Sequence, residues 1–584
     1  MTVDGGTVLG GLSLMIQVLN QCYKGYNLAE TAKTMPDDLL YLSAQLEIEH
    51  NRLRSFTAAA GLTNDEDSLP RTIRERAPLI LPILSEIKIV LSKFGGEEKE
   101  LQTPLEIATS PSAATSQPAD SHEALRTATL QLPISTLKQN ADTGLKSMLK
   151  WSLAEKSQLT EWLVRLRHLN DSLHDLLDEN QLHLLRDEQR QTYMELIQMR
   201  NSVNDLKALA EAAYLSRQES TARSRWQQTQ NTELGDLASF KAFYTTLLDE
   251  TSKNRTSLLI PASQIQLQDE PSSENVHQLA QFVDSDQTSK EVWLTWHHQQ
   301  PSNIRSSNSQ LSLIEELTAL LKARKPDEFR IPPCLGYCIL SNDQSQRAKV
   351  AVVSQRPQHI SNDIRPINLL QAMKQLPRPS LSQRVALSQN IAKCLLYLHS
   401  VNWLHKAIRS EVILLFQLDD SNLQLSEPYL TGFDFSRRAR WDESSAPKPK
   451  FGRMEAYLHP DAQFNKPPQY YRKTFDIYSF GIVLIEIAYW KPIVSIMDIE
   501  NDIDRSPLST STIRPRLLDS EPSLLAGVRA EAGDKFAAAV KTCIEGGDAY
   551  GIHWTDHETS AGTSVKIQHG FNSQVVKILD EIVV

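Results

Sequence analysis

Through the first 216 or so residues, apolar side chains recur every three or four positions, the period of one helix face. In DDLLYLSAQLEIEHNRLRSF, Leu39, Leu42, Leu46, Glu49 and Leu53 share one side, and Pro36-Asp37-Asp38 is a helix start. APLILPILSEIKIVLSKF predicts a second helix that stops at Gly95-Gly96. Leu159, Trp162, Leu163, Leu166, Leu169, Leu173 and Leu176 trace the stripe of a long third one. Met194, Ile197, Val203, Leu206 and Leu209 line another, in EQRQTYMELIQMRNSVNDLKALAEAAYL. Residues 97–132, rich in Ser, Thr, Pro and Ala, have no period and read as a flexible loop. Long helices with one apolar stripe each make a bundle, and the ordinary role of such stripes is its core. The polar stretch 217–236 reads as a linker or a continued, exposed helix.

The period changes after residue 237. EVWLTWHH and AKVAVVSQ are short β-branched and aromatic runs that suit strands, with a helical SQLSLIEELTALLKAR between them. A long helix follows in SLSQRVALSQNIAKCLLYLHS, and helical patterns dominate from there. These periods predict a multidomain chain: an all-α bundle over 1–216, a linker over 217–236, and an α+β domain over 237–584. Within the last, a strand-rich lobe covers about 237–357 and a helix-rich lobe about 363–584.

Composition narrows the function. The 584 residues carry a formal net charge of -10, which argues against a general nucleic-acid binder. Cys22, Cys334, Cys338, Cys394 and Cys543 are odd in number and irregular in spacing, with no second pair or His cluster to complete a metal site, so free thiols in a reducing cytoplasm are expected. No basic region precedes the apolar start, so a secretion signal is not expected. Residues 5–23 carry no charge, a length close to the ~20 residues that span a bilayer. Val8, Leu9, Leu12, Leu14, Met15, Ile16, Val18 and Leu19 make this a candidate membrane-insertion segment, although Ser13, Gln17, Asn20 and Gln21 make it a poor constitutive anchor.

LHKAIRSEVILL, residues 404–415, has the outline of a kinase catalytic loop, H-R-D-x-x-x-x-N before apolar residues. With YLTGFDFSR (429–437), YLHPDA (457–462) and TFDIYSFGIVLIEI (474–487) in the same order, the second half resembles a bilobal protein kinase. The resemblance puts His405 and Lys406 at the His-Arg pair and Arg409 at the catalytic-loop Lys. Asp476 falls at the carboxylate that caps the back of the loop, a structural anchor. The chemistry departs from the pattern: Ala407 stands for the base Asp and Val412 for the metal-binding Asn. The metal Asp before Phe-Gly is either replaced, in the frame Gly432-Phe433-Asp434, or kept as Asp434 in the frame Asp434-Phe435-Ser436. No glycine occurs from 236 to 335, so no glycine-rich phosphate loop is expected, and His297 or His298 stands near the strand Lys. Glu315 or Glu316 is placed for the helix Glu. The expectation is a pseudokinase with no catalytic residues, metal or cofactor, weak ATP binding being left open. The alternatives are an atypical active kinase using Asp434 and a passive scaffold.

The first 215 or so residues resemble the HeLo domain of fungal heterokaryon-incompatibility proteins, of the prion-inhibition and propagation type. The resemblance rests on the Gly-Leu start, Pro36-Asp37-Asp38-Leu39, Glu49, Arg52, Leu53 and Trp151 before a leucine helix. It implies a membrane-targeting cell-death executor whose first segment enters lipid and which oligomerises on activation. A bundle before a pseudokinase is similar, in architecture rather than residues, to mixed lineage kinase domain-like executors. Protein partners, lipid contact through the N-terminal segment, a cytoplasmic location with recruitment to the plasma membrane, and no nucleic acid are what this implies. No Asn/Gln-rich repeat follows residue 216, so no amyloid-forming tail is expected; FNSQVVKILDEIVV reads as a final helix.

Overall fold

In the computed structural model, residues 5–30, 39–62, 69–94, 156–218, 225–249, 258–268, 277–284, 286–297, 304–341, 348–361, 364–419, 422–433, 437–438, 453–463, 471–500, 512–518 and 523–584 are described. The chain divides into two compact units, 1–242 and 243–584. The first holds α1 (Gly5–Glu30), α2 (Leu40–Ala59), α3 (Arg71–Phe94), α4 (Lys156–His174), α5 (Glu179–Met199), α6 (Val203–Gln218) and most of α7 (Arg225–Asp249).

The stripes read from sequence become its core. Leu159, Leu163, Leu166 and Leu173 of α4 are buried with Leu42, Leu46 and Leu53 of α2 and Ile80, Leu84 and Ile87 of α3. From the candidate insertion segment, Met15, Ile16, Val18 and Leu19 lie in the same core, with Leu14 packed against it. The side chains of Val8, Leu9 and Leu12 and the 97–132 loop lie outside the described residues.

Two expectations need correction. The stretch 179–218 is two helices rather than one: Arg200 is extended, and the Ser202 carbonyl accepts from the Leu206 N–H at the new start. Asn201 and Ser202 favour a cap over a helix interior because their side chains compete for backbone groups. The stretch 217–236 is no plain linker, since α7 begins at Arg225 and buries Gln227, Gln230, Asn231 and Leu234. Amides disguise that face. The Gln227 Nε2 donates to Asn231 Oδ1 at 3.0 Å, and Tyr193 Oη donates to the same oxygen at 3.1 Å.

Glu49, which sequence placed within a leucine stripe, is the centre of a buried polar layer. Its carboxylate accepts from Arg52 Nη1 at 2.9 Å, Asn170 Nδ2 at 2.9 Å and Arg167 Nε at 3.4 Å. Arg52 also pairs with Asp171, and Arg167 Nη2 reaches Ser216 Oγ at 3.2 Å. One carboxylate thereby fixes α2 against α4, and through Arg167 against α6. Burial would lower the Arg52 pKa, but Glu49 and Asp171 outweigh it and hold the pKa above its ordinary value.

The second unit opens with β1 (Leu259–Ile260), β2 (Ile265–Leu267), β3 (His277–Val283) and β4 (Ser289–His297), then α8 (Ile304–Lys322), β5 (Cys334–Ser341) and β6 (Ala348–Gln355). They form a sheet of order β1-β5-β6-β4-β3-β2, antiparallel except for β1 beside β5. Alternation along β4 sends Val292 and Leu294 into a core with Ala351 and Val353, and Trp293 to the opposite face. Next come β7 (Arg365–Asn368), α9 (Leu369–Gln375), α10 (Leu381–Ser400), β8 (Trp403–Leu404), β9 (Ile413–Asp419), β10 (Asn422–Leu430) and β11 (Arg437–Arg438). A mainly helical part completes the unit, with α11 (Lys473–Tyr489), α12 (Ile493–Ile496), α13 (Ile513–Leu518), α14 (Leu524–Glu545) and α15 (Ala561–Phe571). α10 starts at a capping box in which the Gln383 N–H donates to Ser380 Oγ. α11 is the most apolar of these helices and is buried from Lys473 to Ala488.

Candidate functional site

The loop between β8 and β9 is built around Asp476, the fourth residue of α11. Its carboxylate accepts the backbone N–H groups of His405 and Lys406, each at 2.8 Å, and the Tyr471 hydroxyl at 3.0 Å. His399 Nε2 lies 3.5 Å away. Burial alone would raise the Asp476 pKa; the contacts from His399 and the His405 backbone outweigh that and hold it below the usual carboxylate value. Lys406 has φ 66°, a left-handed conformation that costs a non-glycine residue free energy, so Asp476 stabilises a strained turn.

His405 continues the framework. The Ala407 N–H donates to its Nδ1 at 3.2 Å, which leaves Nε2 to donate to the Thr431 carbonyl at 2.8 Å. Its ring lies 4.4 Å from that of Phe433, which also packs on Trp403 at 4.9 Å. Thr431 Oγ1 donates to the Val412 carbonyl at 2.8 Å. His277 Nε2 then donates to Thr431 Oγ1 at 2.8 Å, tying β3 to the loop.

Ala407 and Val412 are both buried, with exposures of 3% and 0%. Gly432 has φ +73°, and a Cβ there would lie 2.4 Å from Val412 Cγ1. The valine side chain therefore fills the space beside residue 432. Arg409 turns back on the loop, donating to the Ala407 carbonyl at 2.9 Å. A small cavity of about 20 Å³ lies alongside, lined by Thr295, Leu317, Leu321, Thr431, Gly432 and Phe433 among others. It has room for about one water, against the ~300–1,000 Å³ of a ligand pocket.

A family model described as a domain of unknown function, DUF7580, matches residues 214–581. The chain belongs to that family. A second model, HeLo, described as prion-inhibition and propagation, matches residues 6–209, so the N-terminal helices form a HeLo domain. No curated protein matches the chain.

Within the DUF7580 region, the structure brings His405, Lys406, Ala407, Val412, Gly432, Phe433 and Asp476 into one buried cluster, with the half-buried Arg409 at its edge. Asp434 and Phe435, on which the choice of frame turns, lie outside the described residues, as does His298. His297 closes β4 opposite Val350, and its side chain is not among those described. Thr295, two residues earlier, is the β4 residue that lines the cavity beside Leu317 and Leu321 of α8. Thr295 carries no charge, so the lysine pattern that points to 297 or 298 does not point to it. Glu315 accepts from the Tyr337 hydroxyl at 2.9 Å. Glu486, which sequence did not single out, is buried on α11. Burial pushes its pKa up to about 8, while Tyr457 Oη and the Ile493 N–H each donate to it at 2.7 Å. Among the described residues no group of three or more His, Cys, Asp or Glu is placed to hold a metal, and no helix is long and apolar enough to cross a membrane.

Proposed function

We propose that the DUF7580 unit is a kinase-like fold without phosphoryl transfer, acting as the regulator of a HeLo effector in a fungal incompatibility or cell-death response. The observation that carries this reading is the contact between Val412 and Gly432. In the frame Gly432-Phe433-Asp434 these are the two metal-ligand positions of a kinase, and here they form a packed apolar pair. Phe433 against His405 supports that frame. The strand–helix–strand order of the first part and the Asp476 anchor support the kinase-like fold. With Ala407 at the base position and Val412 at a metal position, the loop lacks the carboxylate that would accept a substrate proton and the amide that would hold a metal ion.

On this reading the cytoplasmic protein needs no cofactor, takes protein partners, and signals by shape. The HeLo domain supplies the output, through recruitment to the plasma membrane, self-association and exposure of the α1 segment to lipid. Since Met15, Ile16, Val18 and Leu19 are buried in the bundle, that exposure requires the bundle to open. In yeast, residues 1–242 alone are expected to slow growth and to enter the membrane fraction. The full chain and residues 21–242 are expected to do neither. Vector-like growth with residues 1–242 wholly in the supernatant contradicts the effector assignment.

A further inference from the structure

The connection from β6 to β7 carries a second, unrelated arrangement. Arg356 is the first residue after β6 and is 8% exposed. Its guanidinium pairs with Glu291 on β4, donates to the Ser361 carbonyl at 3.0 Å, and also reaches the Ile364 carbonyl. Its face lies 5.6 Å from the ring centre of Phe416 on β9. On the other side of the contact, Phe416 meets the Trp293 indole of β4 at 6.3 Å, and Tyr429 of β10 stands edge-on to Phe416 at 5.7 Å. Trp293 is 1% exposed and shares a closed apolar cluster with Ile360, Leu414, Phe416 and Tyr429. His359, in the same connection, donates from Nε2 to the Glu427 carboxylate at 2.9 Å, and the same nitrogen lies 3.2 Å from the Tyr429 hydroxyl.

We propose that Arg356 and Trp293 form a resident clamp that holds the six-stranded sheet closed on the β9–β10 pair, doing with side chains what a bound ligand does in a two-lobed protein. The contacts of Arg356 and Trp293 with Phe416 and of His359 with Glu427 cross from the sheet or its connection to β9–β10, and the Arg356–Glu291 pair ties the connection to β4. An arginine suits the position because its planar fork serves Glu291 and two carbonyls at once while its face stacks on a ring; a lysine offers one compact charge. Trp293 supplies area: a fully buried indole fills the space between β4 and β9 that a closing hinge would otherwise leave to water or ligand. The consequence is a unit whose two parts do not rock in the resting state, so a partner that changes its shape must first break the contacts of Arg356 and Trp293 with Phe416, and the Arg356–Glu291 pair holds the arginine in place for its contact. On the kinase-like reading this is where a nucleotide would lie, but the clamp stands on the contacts alone.

The test is amide hydrogen exchange on the full chain, comparing wild type with Arg356→Ala, Arg356→Lys and Glu291→Gln. In Arg356→Ala, exchange in 356–361 and β4 is expected to rise about tenfold or more, with α11 and α14 within about twofold of wild type. Arg356→Lys falls between. Unchanged exchange in 356–361 and β4, or an even rise across the whole unit, overturns the clamp. Should Arg356→Ala fail to fold, Glu291→Gln, which keeps the carbonyl contacts, is read by the same criterion. On adding Mg²⁺ and ATP, a change in wild-type exchange that spares 356–361 and β4 would count against the proposed function and leave the clamp standing, whereas a change at 356–361 and β4 would overturn both.

Discussion

Replacing Gly432 by alanine is expected to destabilise the DUF7580 unit by about 2–5 kcal/mol. Two costs add. The residue sits at φ +73°, where a Cβ costs about 1–2 kcal/mol. The new methyl would also lie 2.4 Å from Val412 Cγ1, and forcing a group into a filled core costs roughly 1–3 kcal/mol. Val412 is fully buried and its carbonyl is held by Thr431, so neither side can move away freely. The two positions should therefore couple: Gly432→Ala in a Val412→Ala background is expected to cost about 1 kcal/mol less than in wild type. Denaturant unfolding of the full chain, followed by exchange at β9, measures both. A Gly432→Ala variant within about 0.5 kcal/mol of wild type would mean that the valine does not occupy the space beside residue 432.

Glu49→Ala should be still more damaging, at about 3–5 kcal/mol for the HeLo domain, because it strands two buried cations. Arg52 and Arg167 are 2% and 3% exposed and both point at this carboxylate; without it Arg52 keeps one anionic partner in this layer, the partly exposed Asp171, beside the His174 ring nitrogen at 3.4 Å. Asn170 loses an acceptor as well. The exposed Arg71–Glu75 pair, 2.7 Å apart on α3, is the contrast: Glu75→Ala is expected to change stability by less than about 1 kcal/mol. Thermal unfolding of the two variants side by side is the check. If Glu49→Ala melts with Glu75→Ala, the polar layer does not hold the bundle together.

What sequence made legible follows from what its patterns encode. Leu159, Leu163, Leu166 and Leu173 announced a helix face by spacing, and the structure buries that face. The shared loop order placed Asp476 at the back of 404–412, and two backbone N–H groups do point at it. The losses are at places where partners lie far along the chain. Glu49 looked like one more stripe position because Arg167 and Asn170 are more than a hundred residues away. The break at Arg200 was hidden because apolar spacing continues from Ile197 to Leu206 across it. The buried amides of α7 read as solvent-facing, because their bonds to each other and to Tyr193 are not visible in local spacing. In the sequence Trp293 is one aromatic of a strand pattern; its burial against Phe416 depends on the register of β4 with β6 and on the return of β9, neither of which local spacing contains.

Glu486 belongs with these. It is the second carboxylate of TFDIYSFGIVLIEI, near its end, and no local pattern marks it. In the fold it is buried and bonded to Tyr457 and the start of α12, so it joins two segments that carry no shared motif.

Incubation of the full chain with radiolabelled ATP and Mg²⁺, with melting followed in parallel, bears most directly on the central claim that the metal-ligand positions have become a packed contact. The expected result is transfer no greater than in a protein-free blank and no nucleotide-dependent shift in melting temperature. Saturable, Mg²⁺-dependent stabilisation together with phosphate transfer that Asp434→Ala abolishes would contradict it.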